Sequence, residues 1–149
     1  MDKKEMRAYI RARKRAMTEA QIVSASARLG ELFRACELYK KADTSYGDLP
    51  YNQEVRTVPM LEQAIADGKR VAVPKCYGEE MRFLYINDFV NEVGHRIGYG
   101  GGFYDRFLSA EPDHPTLALC YGFQMVEHLE TEEFDIPVDM VLWADPAEE

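Results

Sequence analysis

Long apolar runs are absent from these 149 residues: no stretch approaches the ~18 that a membrane span requires. The amino-terminal MDKKEMRAYIRARKRAM has neither an apolar centre nor a small-residue cleavage site, so it does not read as a secretory signal. Its arginines imitate a mitochondrial transit peptide, but Asp2 and Glu5 argue against one. The three cysteines, Cys36, Cys76 and Cys120, form no CxxC pair and no metal-ligand spacing. They are expected to be buried, reduced thiols of a cytoplasmic protein. Repeats, low-complexity segments and Ser/Gly/Pro-rich linkers are also lacking, so residues 1–149 read as one domain. No Ser/His/Asp set is evident, and His95, His114 and His128 share no spacing and read as surface or loop residues.

What is present is a segregated charge. The net formal charge is −8, yet residues 1–15 carry seven Lys/Arg against Asp2 and Glu5, while Glu127 to Glu149 holds nine Asp/Glu and no Lys or Arg. An acidic chain with one basic end argues against a nucleic-acid-coating surface and allows a local anion site. A solvated helix face accounts for the basic run equally simply.

Apolar spacing at Met6, Ile10 and Met17 predicts a first helix over Lys3–Ala16. Thr18-Glu-Ala-Gln21 reads as a capping box opening a second helix, whose stripe is Ile22, Ala25, Leu29, Leu32/Phe33 and Cys36. A short strand is predicted near Ala42–Tyr46, then the turn-like GDLPYNQE. A helix follows over Thr57–Asp67, with Pro59 in its first turn and Gly68 as its stop. Strands are predicted at Lys69–Pro74, Met81–Ile86 (edge or hairpin), Leu117–Tyr121 and Met140–Trp143, with a short helix over Tyr104–Ala110. The alternation implies an α/β class: a layered α/β/α domain with a largely parallel sheet.

Glycine is scarce, ten in all, and four of the ten lie in five positions, Gly98 to Gly102, within RIGYGGGFYDR. No GK[ST] ends the run, so it is not a P-loop, and Phe103 stands where a dinucleotide fingerprint needs its third glycine. A glycine run before a short helix can bind an anion through backbone N–H groups. Arg96 and Arg106 flank it with charge suited to phosphate, and Asp105 offers an oxygen of the kind magnesium accepts beside phosphates. A purely structural turn before a capped helix explains the spacing as well.

RIGYGGGFYDR resembles the signature loop of the 5-formyltetrahydrofolate cyclo-ligases, also called 5,10-methenyltetrahydrofolate synthetases. The basic opening KKEMRAYIRARKRAM, the turn Leu49 to Val55, and the segments GKRVAVPK, LALCYGFQ and FDIPVDMVL fit the same family in order. The resemblance implies an ATP- and Mg²⁺-dependent ligase of folate one-carbon metabolism, acting on small molecules as a cytoplasmic monomer. It further implies that Lys3 and Arg7, at i and i+4, reach ATP phosphates together with Arg96 and the Gly98, Gly100, Gly101 and Gly102 backbone. Tyr99, Phe103 and Tyr104 would wall the nucleotide, with the catalytic roles falling to Arg96 and Tyr104. Asp105 and Asp135 would ligate the metal, and Leu49 and Glu54 would contact the folate. Without the resemblance, Asp135 is an exposed acid of an acidic tail and Glu54 a loop acid.

The family carries a longer section between the segments matched by YIND and GHRIGYGGG, including a strongly apolar strand; here only FVNEV intervenes. Either a central strand is lost, leaving unsatisfied edges, or residues are missing from the chain as read. A Cα–Cα separation at Asp88–Phe89 wider than about 3.8 Å would mark the second. A true loss allows a non-catalytic folate- or nucleotide-binding relative as the alternative.

Overall fold

In a computed structural model the structure describes residues 2–78, 80–86, 103–129 and 131–147, with backbone alone at positions 76, 86 and 103–105. The first helix, α1 (Lys3–Arg15), starts where the Asp2 carboxylate accepts the Glu5 N–H and Glu5 returns the bond to Asp2. This reciprocal cap satisfies two amides that have no partner inside the helix. Helix α2 (Glu19–Ala35) starts on the same device: Gln21 N–H donates to Thr18 Oγ1 at 3.1 Å and Thr18 N–H to Gln21 Oε1 at 2.9 Å. A short α3 (Glu37–Lys41), too brief for periodicity to reveal, lays Tyr39 into the interior.

Strand β1 (Thr44–Tyr46) leads to α4 (Val58–Ala66), which carries a proline in its first turn and ends before Gly68 at φ +85°. Strand β2 (Arg70–Tyr77) pairs parallel with β1 and antiparallel with β3 (Glu80–Ile86). Pro74 is fully buried in β2, a central strand. Its position is compatible with the ladder because β1 pairs only as far as Ala72, whose carbonyl takes the Gly47 N–H. By alternation Pro74 faces that same side, past the end of β1, so no strand there loses a donor. Helix α5 (Phe103–Ala110) follows, then β4 (Leu117–Tyr121), a 3₁₀ turn at Gly122–Gln124, and β5 (Met140–Ala144) parallel to β4.

The α/β class and the mostly parallel pairing are as expected; the described strands fall into two sheets, β1-β2-β3 and β4-β5. Two of the three pairings are parallel; β3 runs antiparallel because only Gly78 and residue 79 separate it from β2, too short a connection for a parallel crossover. The Asp88–Phe89 junction lies outside the described residues.

Two apolar clusters hold these layers. Val71 and Val73 point to one face of the three-stranded sheet and meet Tyr39, Leu61 and Ala64. On the opposite face, Tyr46, Phe83 and Tyr85 lie in register with Ala72 and Pro74, and α5 packs there through Phe107. The second cluster joins Ala25 and Leu29 of α2 to Val55, Met60, Tyr121 and Ala144, so α2 bridges the two sheets, with Phe33 touching both clusters. The apolar side of α1 is only half-buried: no α1 residue reaches the core, and Met6 and Ile10 stay partly exposed. Cys36 and Cys120 are free thiols, half-buried rather than buried.

Candidate active site

Lys3 and Asp135, assigned by resemblance to phosphate and metal, lie together although 132 positions separate them. Lys3 Nζ sits 3.3 Å from both Asp135 Oδ2 and Glu132 Oε1. The same Asp135 oxygen accepts the Glu132 N–H at 2.8 Å. That backbone bond, opposed by partial desolvation and reinforced by Lys3 and Arg7, holds the Asp135 carboxyl below its ordinary range. Desolvation pulls the Lys3 ammonium down, but its bonds to Asp135 and Glu132 outweigh this and raise it. Arg7 is exposed one turn further along α1, close enough for Asp135 to feel its charge.

Among the described residues no three His, Cys, Asp or Glu side chains converge as a metal cage. Two carboxylates nevertheless converge on one cation, the Lys3 ammonium. One or two carboxylates completed by water and phosphate oxygens are the usual protein share of a magnesium site; a carboxylate such as Asp135 is a donor of that chemical kind, here engaged by Lys3. Of the glycine-run assignments, Arg96, Gly98, Tyr99, Gly100, Gly101 and Gly102 lie outside the described residues. Phe103, Tyr104 and Asp105 are placed by backbone only, in the first turn of α5.

The loop joining β1 to α4 carries Leu49 and Glu54, and it is pinned from several sides. Tyr51 N–H donates to Glu54 Oε2 at 3.0 Å, folding the turn on itself. Asn52 takes φ +48°, a left-handed conformation that asparagine tolerates. Arg56 donates to the Asn52 and Glu54 carbonyls and pairs with Glu19, while its N–H reaches Ser26 Oγ at 2.9 Å. From β4, the Tyr121 hydroxyl donates to the Gln53 carbonyl at 2.7 Å. Burial pushes that phenol up to about 12, so it remains a donor at neutral pH. Leu49 packs against the first apolar cluster, and a Cβ at Gly47 would run into Leu61, which is why glycine opens the loop.

An aromatic wall lies between this loop and α5. Tyr46, the residue before Gly47, stacks on Phe83 (centroids 4.7 Å, planes 21° apart) and meets Tyr85 edge-on at 6.4 Å. Phe107 of α5 closes on Phe83 at 4.9 Å and on Tyr46 at 6.5 Å. The element leading into the Leu49–Glu54 loop and the helix leading out of the glycine run therefore meet at one cluster. Sequence reasoning missed Tyr46, Phe83, Phe107, Tyr121 and Glu132. The only available signal was Tyr46 directly preceding GDLPYNQE and the alternation of Phe83 and Tyr85 on one strand.

These features define a class: a small α/β domain with a polyanion-suited basic helix, an acidic loop facing it, and a pinned loop beside an aromatic wall. Residues 89–144 match the 5-formyltetrahydrofolate cyclo-ligase family. The chain is 27% identical over 173 aligned positions to 5-formyltetrahydrofolate cyclo-ligase of Escherichia coli (strain K12), covering 89% of this chain and 95% of that protein. The alignment is longer than the 149 residues of the chain, so the relative has positions with no counterpart here. The Haemophilus influenzae enzyme of the same name is 43% identical over 54 residues, 35% of this chain and 29% of its own. Two solved 5,10-methenyltetrahydrofolate synthetases share the fold at TM-score 0.75 and 20% identity. The one from Mycoplasma pneumoniae covers 95% of this chain and 98% of its own, and the one from Aquifex aeolicus 96% and 90%. The chain is thus similar to 5-formyltetrahydrofolate cyclo-ligases over most of its length, and to the family model over residues 89–144.

Proposed function

We propose that the protein converts 5-formyltetrahydrofolate to 5,10-methenyltetrahydrofolate with ATP, releasing ADP and phosphate. The observation that carries this reading is the meeting of the loop-bearing β1 and the glycine-run helix α5 at the Tyr46–Phe83–Phe107 cluster. Two substrates must be held side by side for this reaction, and these are the two segments that family resemblance gives to folate and nucleotide.

The chemistry explains the need for ATP. A formamide oxygen leaves poorly; attack of that oxygen on the γ-phosphorus breaks the bond to ADP and makes the oxygen part of a phosphate. The N10 lone pair then adds to the activated carbon, N10 gives up its proton, and phosphate departs. No protein nucleophile is required, so the residues position and neutralise. In this reading Lys3, Arg7 and Arg96 face phosphate oxygens, helped by the Gly98–Gly102 amides. Tyr99, Phe103 and Tyr104 wall the nucleotide, and Arg96 and Tyr104 lie nearest the transfer. Leu49 and Glu54 hold the pterin, with Glu54 accepting its N–H groups. Magnesium held by Asp105 and Asp135 would screen the triphosphate charge. No described helix is long and apolar enough to cross a membrane; the reading takes the protein as a cytoplasmic monomer.

The test is direct: purified chain, 5-formyltetrahydrofolate and Mg-ATP should give the near-ultraviolet absorbance of the methenyl product, and none without ATP. ATP binding with no product would replace this reading with a binding protein that has lost turnover. Lys3→Ala and Arg7→Ala should each raise KM for ATP about tenfold, the worth of one charge-assisted contact.

A further inference from the structure

Arg70 opens β2 directly opposite Thr44, two residues before Tyr46 on β1. Its guanidinium carbon lies over the Tyr85 ring, 3.9 Å from its centre, a cation–π contact that holds the cation against the ring face. Arg70 is exposed, and no carboxylate pairs with it among the described residues. The aromatic surface beside it is open as well, Tyr46 at 45% and Tyr85 at 52% exposure. The acid whose field reaches Tyr46 is Glu111, and its carboxylate lies 3.3 Å from His114 Nε2.

Along this face three chemistries follow one another in a line. The pinned loop begins at Gly47; the Tyr46–Phe83 stack comes next; Arg70 leaves the backbone two residues further back and reaches over Tyr85, whose ring lies 6.4 Å from that of Tyr46. A reduced folate has the same order: a pterin, an aminobenzoyl ring, then a glutamate with its carboxylates. We propose that the Tyr46–Phe83 stack seats the aminobenzoyl ring and that Arg70, held on Tyr85, binds the glutamate carboxylates, making Arg70 the residue that sets preference for glutamate-bearing substrate. This rests on the cyclo-ligase reading and adds to it a specificity determinant. The guanidinium fork suits a carboxylate, and the contact with the Tyr85 ring restricts its rotamers before the ligand arrives.

The experiment is calorimetric binding to the full chain of three probes: 5-formyltetrahydropteroate, which lacks glutamate, 5-formyltetrahydrofolate, and its triglutamate. Glutamate-bearing probes should bind wild type about tenfold tighter than the pteroate. Arg70→Ala should erase most of that gain while leaving pteroate affinity nearly unchanged, and Arg70→Lys, which keeps charge without the fork, should fall between. Equal affinity of wild type for all three probes would overturn the proposal while leaving the cyclo-ligase reading intact. So would an Arg70→Ala loss as large for the pteroate as for the others. Binding of none of the three by wild type would remove both readings together. Circular dichroism of each variant separates these outcomes from misfolding.

Discussion

The two apolar clusters use similar side chains and have different reach. The buried residues of the cluster around Val71 and Val73 lie between Tyr39 and Val73, on helices α3 and α4 and strand β2, a local unit of the chain. The cluster around Leu29 and Tyr121 joins positions from Ala25 to Ala144 and holds the candidate-site loop by a hydrogen bond, Tyr121 to the Gln53 carbonyl, whereas the first cluster meets that loop only through the packing of Leu49. Contacts between nearby positions cost little loop-closure entropy, so the first cluster can form by itself. The second must wait for the chain to return, and the site is assembled with it.

The sharpest way to break this contrast is to empty each cluster in turn. Leu29 is fully buried in the second, and Leu29→Ala should cost about 3 kcal/mol in urea unfolding. It should also raise KM for the folate substrate, since Val55 and Tyr121 lose a packing neighbour. Val71→Ala in the first cluster should cost about 2 kcal/mol and raise KM less, since only Leu49 of the loop packs there. Equal effects on KM would erase the distinction between the clusters.

Tyr121→Phe is a finer cut. It keeps the ring in the cluster and leaves the Gln53 carbonyl without its donor, at about 1 kcal/mol. The expected kinetic signature is a severalfold rise in KM for folate with KM for ATP unaltered, read from initial rates at varied substrate.

The smallest effect concerns α1, which no buried residue anchors. Asp135 is depressed in the folded protein, so its contribution is complete above the ordinary carboxylate range and fades as pH falls through its lowered value. Lys3 is raised, so its contribution is complete below the ordinary lysine range and fades as pH climbs through its higher value. NMR titration of the Asp135 carboxyl should therefore show a midpoint below that of a free aspartate. Asp135→Asn should bring the Lys3 midpoint back toward ordinary lysine. An unshifted Asp135 would mean that α1 is not tied to the acidic loop.

Local structure was readable where a local rule governs it. The Thr18–Gln21 box, Pro59, Gly68 and the Leu117–Tyr121 strand all act through neighbours within a few residues, and each element lies within a residue or so of its expected place, though β2 runs three residues further, to Tyr77. The β2–β3 hairpin was legible too, since Met81–Ile86 reads as an edge or hairpin strand, but the division of the described strands into two sheets was not.

For the site, residue identity and motif order were enough to nominate Lys3, Arg7, Leu49, Glu54 and Asp135. Only the tertiary structure paired Lys3 with Asp135 and Glu132, seated Arg70 on Tyr85, and brought Tyr121 to Gln53. The physical reason is distance along the chain. Capping, turn and periodicity preferences extend a few residues, whereas contacts between residues tens of positions apart depend on how whole layers pack, and no local pattern encodes that.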